Sequence, residues 1–81
     1  MLSGLSANEL RVLGERVRER RKTLGWTQEE FAEKAGIDRS YAGGIERGER
    51  NVTFSILCQL CAALRCDVAS LTTGLPIKPR K

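Results

Sequence analysis

Histidine is absent from this chain of 81 residues, and histidine is the side chain that proteins use most readily for proton transfer and metal binding near neutral pH. The sequence also lacks a recognisable pairing of a nucleophile with a base, and no Gly-rich phosphate-binding loop follows a strand. These absences argue against catalysis. We therefore expect that the protein is not an enzyme and that it needs no cofactor.

Long apolar runs are missing as well, because no stretch approaches the roughly 20 residues that a membrane-spanning helix requires. The N-terminal sequence MLSGLSANEL lacks the charged segment followed by an apolar segment that marks a signal peptide. We expect a cytoplasmic protein with no membrane partner. The composition, 41% hydrophobic and 30% charged, suits one modest core. We predict a single domain over residues 1–81, in which residues 1–5 and 75–81 are flexible.

Cysteine is scarce and occurs in an odd number, at Cys58, Cys61 and Cys66. Cys58 and Cys61 have the C-x-x-C spacing of zinc and redox sites. A structural zinc ion usually takes four ligands, however, and the chain offers only three thiols. All three cysteines lie in or just after an apolar helical pattern, in which a free Cys behaves as a small hydrophobic residue. We predict ordinary packing for them, without a metal and without a closed disulfide framework.

Acidic residues are outnumbered by basic ones, ten to fourteen, and the formal net charge is +4. A positive charge favours a polyanionic partner. Lys78, Arg80 and Lys81 in the C-terminal tail contribute three of the four excess charges, so the body of the chain is nearly neutral. Composition alone therefore does not establish nucleic-acid binding. Most of the basic residues are Arg, whose fork suits phosphate and guanine better than Lys does.

The most informative stretch is residues 27–48, TQEEFAEKAGIDRSYAGGIERG, which predicts two short helices joined by a tight turn. Thr27 and Glu30 form a capping box that starts a helix over residues 28–35. Gly36 suits the left-handed position that ends a helix. Asp38 can cap the second helix, which we expect to stop at Gly48. Two helices joined in this way form a helix-turn-helix, whose second helix can enter the major groove of DNA.

The second helix of this stretch has a distinct outward face. If Ile45 is directed inward, 100° per residue places Tyr41 and Ala42 beside it. The opposite face then carries Arg39, Ser40, Gly43 and Arg47. Arg can donate two hydrogen bonds to guanine, and Ser can bind base or phosphate. Gly43 and Gly44 each cost about 1 kcal/mol of helix propensity relative to Ala. We attribute them to the close approach of another molecule, and the alternative is tight packing of the helix against its own protein.

The N-terminal part of the chain predicts one long helix. Ser6 and Glu9 form a second capping box, and the helix continues to about residue 24, where Gly25 stops it. Arg20 projects from the apolar face of this helix. Either its stem covers the core while its head reaches water, or its head pairs with a carboxylate. The remaining charges of the helix are expected to be solvated, and they include Arg11, Arg16, Arg18 and Lys22.

The C-terminal part predicts two further helices and no strand. Nearer the N-terminus, Trp26 lies at the junction of the first two helices, where we expect its indole to close the core. Thr53 caps a helix over residues 54–64, and Asp67 caps a short last helix that Gly74 ends. The expected fold is therefore all-α, a compact domain of five helices.

Residues 13–71 resemble the Cro/CI family of helix-turn-helix DNA-binding domains, also called the XRE family. The segments that carry the resemblance are GWTQEEFAEKAGI, RSYAGGIERGERN and TFSILCQLCAAL. Within the family, DRSYAGGIERGERN is most similar to the controller proteins of restriction–modification systems, which are small dimeric regulators of their own gene and of the endonuclease gene. The resemblance implies a lambda-repressor-like fold and a sequence-specific transcriptional regulator.

The resemblance also implies roles for the residues that match. It assigns base reading to Arg39, Ser40, Gly43 and Gly44. It assigns contacts with the DNA backbone to Gln28, Tyr41, Arg47, Arg50, Asn51 and Thr53. Arg21 and Glu46 match a pair that forms an internal salt bridge in some relatives, so Glu46 is expected to be structural. Gly43 and Gly44 depart from the family pattern, because other relatives use side chains there for bases.

The expected partners are a double-stranded DNA operator and a second copy of the chain, with RNA polymerase as a further candidate. A dimer places two reading helices one turn of DNA apart, roughly 34–36 Å, so the operator should be nearly palindromic. The candidates for the dimer surface are Leu64, Val68 and Leu71, whose spacing describes a protomer core equally well. A second class of function is a protein-interaction module such as an antitoxin, which would expose an apolar patch near the C-terminus.

Overall fold

Five α-helices make up the part of the chain that a computed structural model describes, residues 6–77. They are α1 (Ala7–Thr23), α2 (Gln28–Ala35), α3 (Arg39–Glu46), α4 (Phe54–Leu64) and α5 (Val68–Thr72). The predicted all-α fold is confirmed. Of the residues predicted to be flexible, 1–5 and 75–81, all but 75–77 lie outside the described range, and their flexibility stays a prediction. None of the five helices described within residues 6–77 could span a lipid bilayer.

Each helix begins at a side chain that the sequence predicts as its cap. Ser6 and Thr27 accept the backbone N–H groups of Glu9 and Glu30. The two Glu carboxylates accept the N–H groups of the cap residues in return. The other three helices are capped by Asp38, Thr53 and Asp67. Because the first N–H groups of a helix have no partner inside it, these side chains determine where the helices begin.

Apolar side chains from all five helices meet in one core. One fully buried member from each helix, in chain order, is Val17, Phe31, Ile45, Leu60 and Leu71. Burying a side chain of this size contributes about 1.5–3 kcal/mol relative to leaving it exposed. The core therefore fixes which face of each helix remains outside. Trp26 packs against the edge of this core, as predicted, with Lys34 and Arg65 over its ring.

The backbones of α1 and α3 approach each other closely at Gly14. A Cβ atom on Gly14 would lie 2.3 Å from the carbonyl oxygen of Ile45 and 2.6 Å from that of Glu46. The turn after α3 is equally close, because a Cβ atom on Gly48 would lie 2.8 Å from Cα of Arg11. The C-terminal half of α3 is therefore held directly against α1.

Two arginines of α1 bind the C-terminal ends of α4 and α5. Arg20 donates to the carbonyl oxygens of Leu64 and Arg65 at 2.8 and 2.9 Å. Arg16 donates to the carbonyl oxygen of Leu71 at 3.1 Å. The last carbonyl groups of a helix lack partners and carry partial negative charge, so a guanidinium group satisfies both needs. The prediction that Arg16 is only solvated was wrong, and Arg20 binds backbone carbonyls rather than a carboxylate.

The three cysteines differ in burial. Cys61 is buried, Cys66 is half-buried and Cys58 is exposed on α4. The prediction of ordinary packing is therefore wrong for Cys58. Burial raises the pKa of the Cys61 thiol to about 12, so this thiol is protonated at neutral pH and is a poor nucleophile. Among the residues that the structure describes, no group of three His, Cys, Asp or Glu side chains could hold a metal ion.

Candidate nucleic-acid interface

Helix α3 presents two faces of opposite character. Ala42 and Ile45 are buried in the core, and Tyr41 is half-buried beside them. The exposed side chains of α3 and its C-terminal cap include Arg39, Ser40 and Arg47. The helix is therefore turned as its sequence predicts, with its apolar stripe inward and two guanidinium groups outward.

An open concavity runs along this outward face, where α2 and α3 meet. It is lined by Gln28, Asp38, Arg39, Ser40, Gly43 and Arg47. Five of these six residues are predicted DNA contacts, and Asp38 is the exception. The fold thus brings base-reading candidates and backbone-contacting candidates to one surface.

A buried ion pair between Arg21 and Glu46 lies beneath this surface, as the resemblance implies. The Nε and Nη2 atoms of Arg21 donate to the two carboxylate oxygens of Glu46 at 2.7 and 3.0 Å. A third N–H of Arg21 donates to the carbonyl oxygen of Trp26 at 2.8 Å. The hydrogen bond with Glu46 raises the pKa of Arg21. Because a bidentate pair restricts both side chains, it ties the end of α3 to α1.

Gln28 is held by the same carboxylate. Its Nε2 atom donates to Oε1 of Glu46 at 3.2 Å, and its Oε1 atom faces Gly43. The carboxamide keeps one N–H for another partner. The phosphate contact predicted for Gln28 would therefore come from a side chain that is already fixed in place.

Gly43 and Gly44 are both buried. A Cβ atom on Gly43 would lie 3.0 Å from Nη1 of Arg47 and 3.1 Å from Oε1 of Gln28. A Cβ atom on Gly44 would lie 2.6 Å from Cγ of Arg50. The glycines thus make room for side chains of the same chain, which is the alternative to close approach by another molecule. Their role in base reading stays a prediction.

The loop after α3 holds two cationic groups against partners within the chain. The Nε atom of Arg47 lies 3.0 Å from Oε1 of Glu49, in an exposed ion pair. The guanidinium carbon of Arg50 lies 5.5 Å from the centre of the Tyr41 ring. The Tyr41 hydroxyl donates to the carbonyl oxygen of Asn51 at 3.2 Å. Exposed contacts of these kinds contribute about 1 kcal/mol or less each, so a phosphate group could displace them.

The N-terminus of α4 borders this loop. The Thr53 hydroxyl accepts the N–H of Ile56 at 3.0 Å, and the Asn51 side-chain oxygen accepts the N–H of Val52 at 2.9 Å. Both oxygens are therefore engaged within the chain. The partial positive charge of the helix end remains and favours an anion there, so the backbone contacts predicted for Asn51 and Thr53 rest on this helix end.

Of the six described residues that line the concavity, one, Asp38, is acidic. One of its carboxylate oxygens accepts the Ser40 hydroxyl and, at 3.0 Å, the Ser40 backbone N–H. These two hydrogen bonds lower the pKa of Asp38, and the charge of Arg50 adds a smaller contribution. The carboxylate is therefore ionised at neutral pH. The sequence identifies Asp38 as a cap, and the only signal for a second role is its position directly before Arg39.

The side chains predicted for a dimer surface lie where α4 meets α5. Leu64 and Leu71 are 0% and 2% exposed, so they belong to the protomer core and offer no surface to a second copy. Val68 is half-buried against that core. The large apolar side chains that are exposed within residues 6–77 are Phe54 and Ile77. Neither side chain belongs to a contact surface that the sequence predicts.

The sequence and the fold of this chain are similar to those of known proteins. Residues 17–71 match the family described as Helix-turn-helix, HTH_3. The chain is 43% identical over 67 residues to control protein C.SmaI of Serratia marcescens, across 83% of this chain and 80% of that protein. The crystal structure of the restriction-modification controller protein C.AhdI from Aeromonas hydrophila has a TM-score of 0.77 at 42% identity, across 79% of this chain and 97% of that one. The structure of SinR, the master regulator for biofilm formation, in complex with DNA has a TM-score of 0.70 at 37% identity, across 73% of this chain and 95% of that one.

Proposed function

The chain belongs to the HTH_3 helix-turn-helix family, matched over residues 17–71, and on this premise we propose that it regulates transcription as a homodimer on a nearly palindromic DNA operator. Its likeness to C.SmaI and C.AhdI supports a role as the controller of a restriction–modification system. The likeness to SinR, solved with DNA, supports duplex DNA as the ligand. A cytoplasmic location is consistent with this ligand, and RNA polymerase is retained as a candidate partner.

The observation that carries this proposal is the anchored, cationic face of α3. Arg39 and Arg47 are exposed on one side of the helix, and Ile45 on the other side is buried in the core. The Arg21–Glu46 pair locks the end of the same helix to α1. A rigid helix that presents guanidinium groups outward is what reading of a major groove requires.

The mechanism has three parts. Phosphate contacts from Gln28, Arg47 and the N-terminus of α4 fix the orientation of the protein on the duplex. Arg39 then donates to a guanine edge in the major groove. Dimerisation repeats both sets of contacts roughly 34–36 Å away, one turn along the DNA. The surface that joins the two copies would use exposed side chains, because Leu64 and Leu71 are occupied in the core.

We expect Arg39→Ala to weaken binding to the operator and to relax preference at one base position per half-site. A bidentate contact with guanine is worth about 1–3 kcal/mol of discrimination, so the loss of affinity should be roughly five- to 150-fold for the preferred sequence. Selection from a random duplex pool identifies the operator, and titrations of single-base variants measure the preference. Unchanged affinity of Arg39→Ala for every operator variant would refute the assignment.

Arg47→Ala should instead lower affinity for all sequences alike. Arg47 is assigned to a phosphate, and each phosphate contact contributes a slope of about −0.9 to the dependence of log affinity on log salt concentration. We therefore expect the slope to become shallower by about one in titrations with unrelated duplexes at several salt concentrations. A change in base preference with an unaltered salt slope would show that Arg47 reads a base.

An antitoxin is the second candidate function, favoured by the exposure of Phe54 (56%) and Ile77 (46%). These side chains could contact a different protein instead of a second copy. Light scattering of the purified protein measures its oligomeric state, and a titration with duplex DNA measures binding. A homodimer that binds DNA without any other protein supports the regulator over the antitoxin. The controller subtype is tested by the neighbouring genes, which should encode an endonuclease and a methyltransferase.

A further inference from the structure

Asp38 and Ser40 form a small patch that can only accept hydrogen bonds. The Asp38 carboxylate is a cap and lines the same concavity as Arg39. A carboxylate cannot donate, so the hydrogen bond between the two side chains uses the single hydrogen of the Ser40 hydroxyl. Ser40 keeps lone pairs, and the exposed Asp38 carboxylate, which the Tyr41 backbone N–H also approaches, keeps further accepting capacity for another molecule. An acceptor-only patch therefore lines the same concavity as the donor-only Arg39.

This patch is suited to one part of a DNA duplex. A negatively charged carboxylate repels phosphate groups, so the patch favours a base edge over the DNA backbone. In the major groove, cytosine presents only the N4 amino donor, whereas adenine places its N6 donor beside the N7 acceptor. Guanine and thymine present acceptors, which a carboxylate opposes. Cytosine is therefore the base whose edge matches the patch.

We propose that Asp38, together with the Ser40 hydroxyl that it orients, reads the N4 amino group of a cytosine in the major groove. The inference rests on the proposed DNA-binding function and adds a specificity-determining residue to it. Arg39 and Asp38 then select different bases, since Arg39 requires the acceptors of guanine and Asp38 requires the N4 donor of cytosine. Each half-site should contain a guanine and a cytosine at fixed positions.

The competing explanation is that Asp38 only caps α3, and the chain contains a matched control for that role. Asp67 caps α5 in a similar way, with a serine three residues on instead of two, and accepts the backbone N–H of Ser70 at 2.9 Å and its hydroxyl at 2.7 Å. Helix α5 packs against α1 and α4, whereas α3 packs against α1 and α2. Asp67→Asn and Asp38→Asn each remove one negative charge and each keep a good capping residue. Only Asp38→Asn changes the concavity.

The test is selection of bound duplexes from a random pool by the full chain, followed by titration of fluorescent duplexes that carry each base pair at each position. The wild-type protein should enrich a site with cytosine at one position per half-site. Asp38→Asn replaces an outward acceptor with an amide donor. It should reduce the preference for cytosine at that position by at least about five-fold and improve binding of guanine or thymine there. Asp67→Asn should keep the wild-type preference.

Each outcome decides between the explanations. If Asp38→Asn raises affinity for all duplexes and leaves every base preference unchanged, Asp38 is only a cap and the inference is wrong. If Asp38→Asn does not fold, Ser40→Ala replaces it, because this variant keeps the carboxylate and the capped backbone N–H. Loss of the cytosine preference in Ser40→Ala supports the inference, and an unchanged preference overturns it. A wild-type protein that enriches no duplex refutes the proposed function itself.

Discussion

Glu46→Ala should destabilise the protein by about 3–5 kcal/mol. Arg21 and Glu46 are 11% and 3% exposed at their side chains, so removal of the carboxylate leaves a buried guanidinium group without its counter-charge. It also deprives Gln28 of its hydrogen-bond acceptor. A domain of this size is stabilised by only about 5–10 kcal/mol in total. Urea unfolding, followed at constant protein concentration, should therefore show a large fall in the midpoint.

The control for this result is an ion pair at the surface of the same protein. Arg11 and Glu15 lie 3.3 Å apart on α1, and their side chains are 57% and 59% exposed. Exposed pairs of this type contribute less than about 1 kcal/mol, so Glu15→Ala should unfold close to the wild type. Replacing both Arg21 and Glu46 by Met should recover much of the lost stability, because no uncompensated charge remains. Equal effects of Glu46→Ala and Glu15→Ala would contradict the assignment of a buried structural pair.

Gly14→Ala should be the second large effect, opposite in sign to the usual result of such a change. Within a helix, Ala normally stabilises by about 1 kcal/mol relative to Gly. Here the new methyl group would lie 2.3 Å from the carbonyl oxygen of Ile45, and that oxygen belongs to the backbone of α3. The helices must separate, so we expect a net loss of about 2–3 kcal/mol. Thermal unfolding measures this loss.

Gly43→Ala is the matched control for Gly14→Ala, since it places the same methyl group in the middle of a helix. Its nearest neighbours are the ends of the Arg47 and Gln28 side chains, at 3.0 and 3.1 Å. The Arg47 side chain is exposed and can move, and the Gln28 carboxamide need shift only slightly, so this variant should unfold close to the wild-type temperature. It should also displace two predicted phosphate contacts and weaken DNA binding. A Gly14→Ala protein as stable as Gly43→Ala would show that α1 and α3 do not meet as described.

The positions of the helices could be predicted from the sequence because the signals that start and stop a helix are local. The capping boxes at Ser6 and Thr27 each involve a residue three positions further on. The predicted ranges of α2 and α4 are those observed, and α3 ends two residues before the predicted Gly48. The orientation of α3 could also be predicted from the sequence, since Ile45 defines which side of the helix faces the core.

What the sequence could not predict depends on residues that are far apart in the chain. Arg20 binds the carbonyl oxygen of a residue 44 positions away, and Arg16 binds one 55 positions away. No local pattern distinguishes these arginines from solvated ones. The same holds for Gly14, whose contact with α3 exists only after the helices pack. At the candidate interface, the acceptor-only character of Ser40 emerges from the hydrogen bond that its hydroxyl donates to Asp38 rather than from residue type.

Within residues 6–77, α1 contacts the backbone of α3 at Gly14, and Arg16 and Arg20 bind the ends of α5 and α4, so we expect the described part of the protomer to move as one body. Two copies bound to an operator would therefore hold their α3 helices at a fixed separation. When the separation between half-sites is wrong by a base pair, the duplex must twist or bend to fit, and the sequence between the half-sites affects affinity although no side chain touches it.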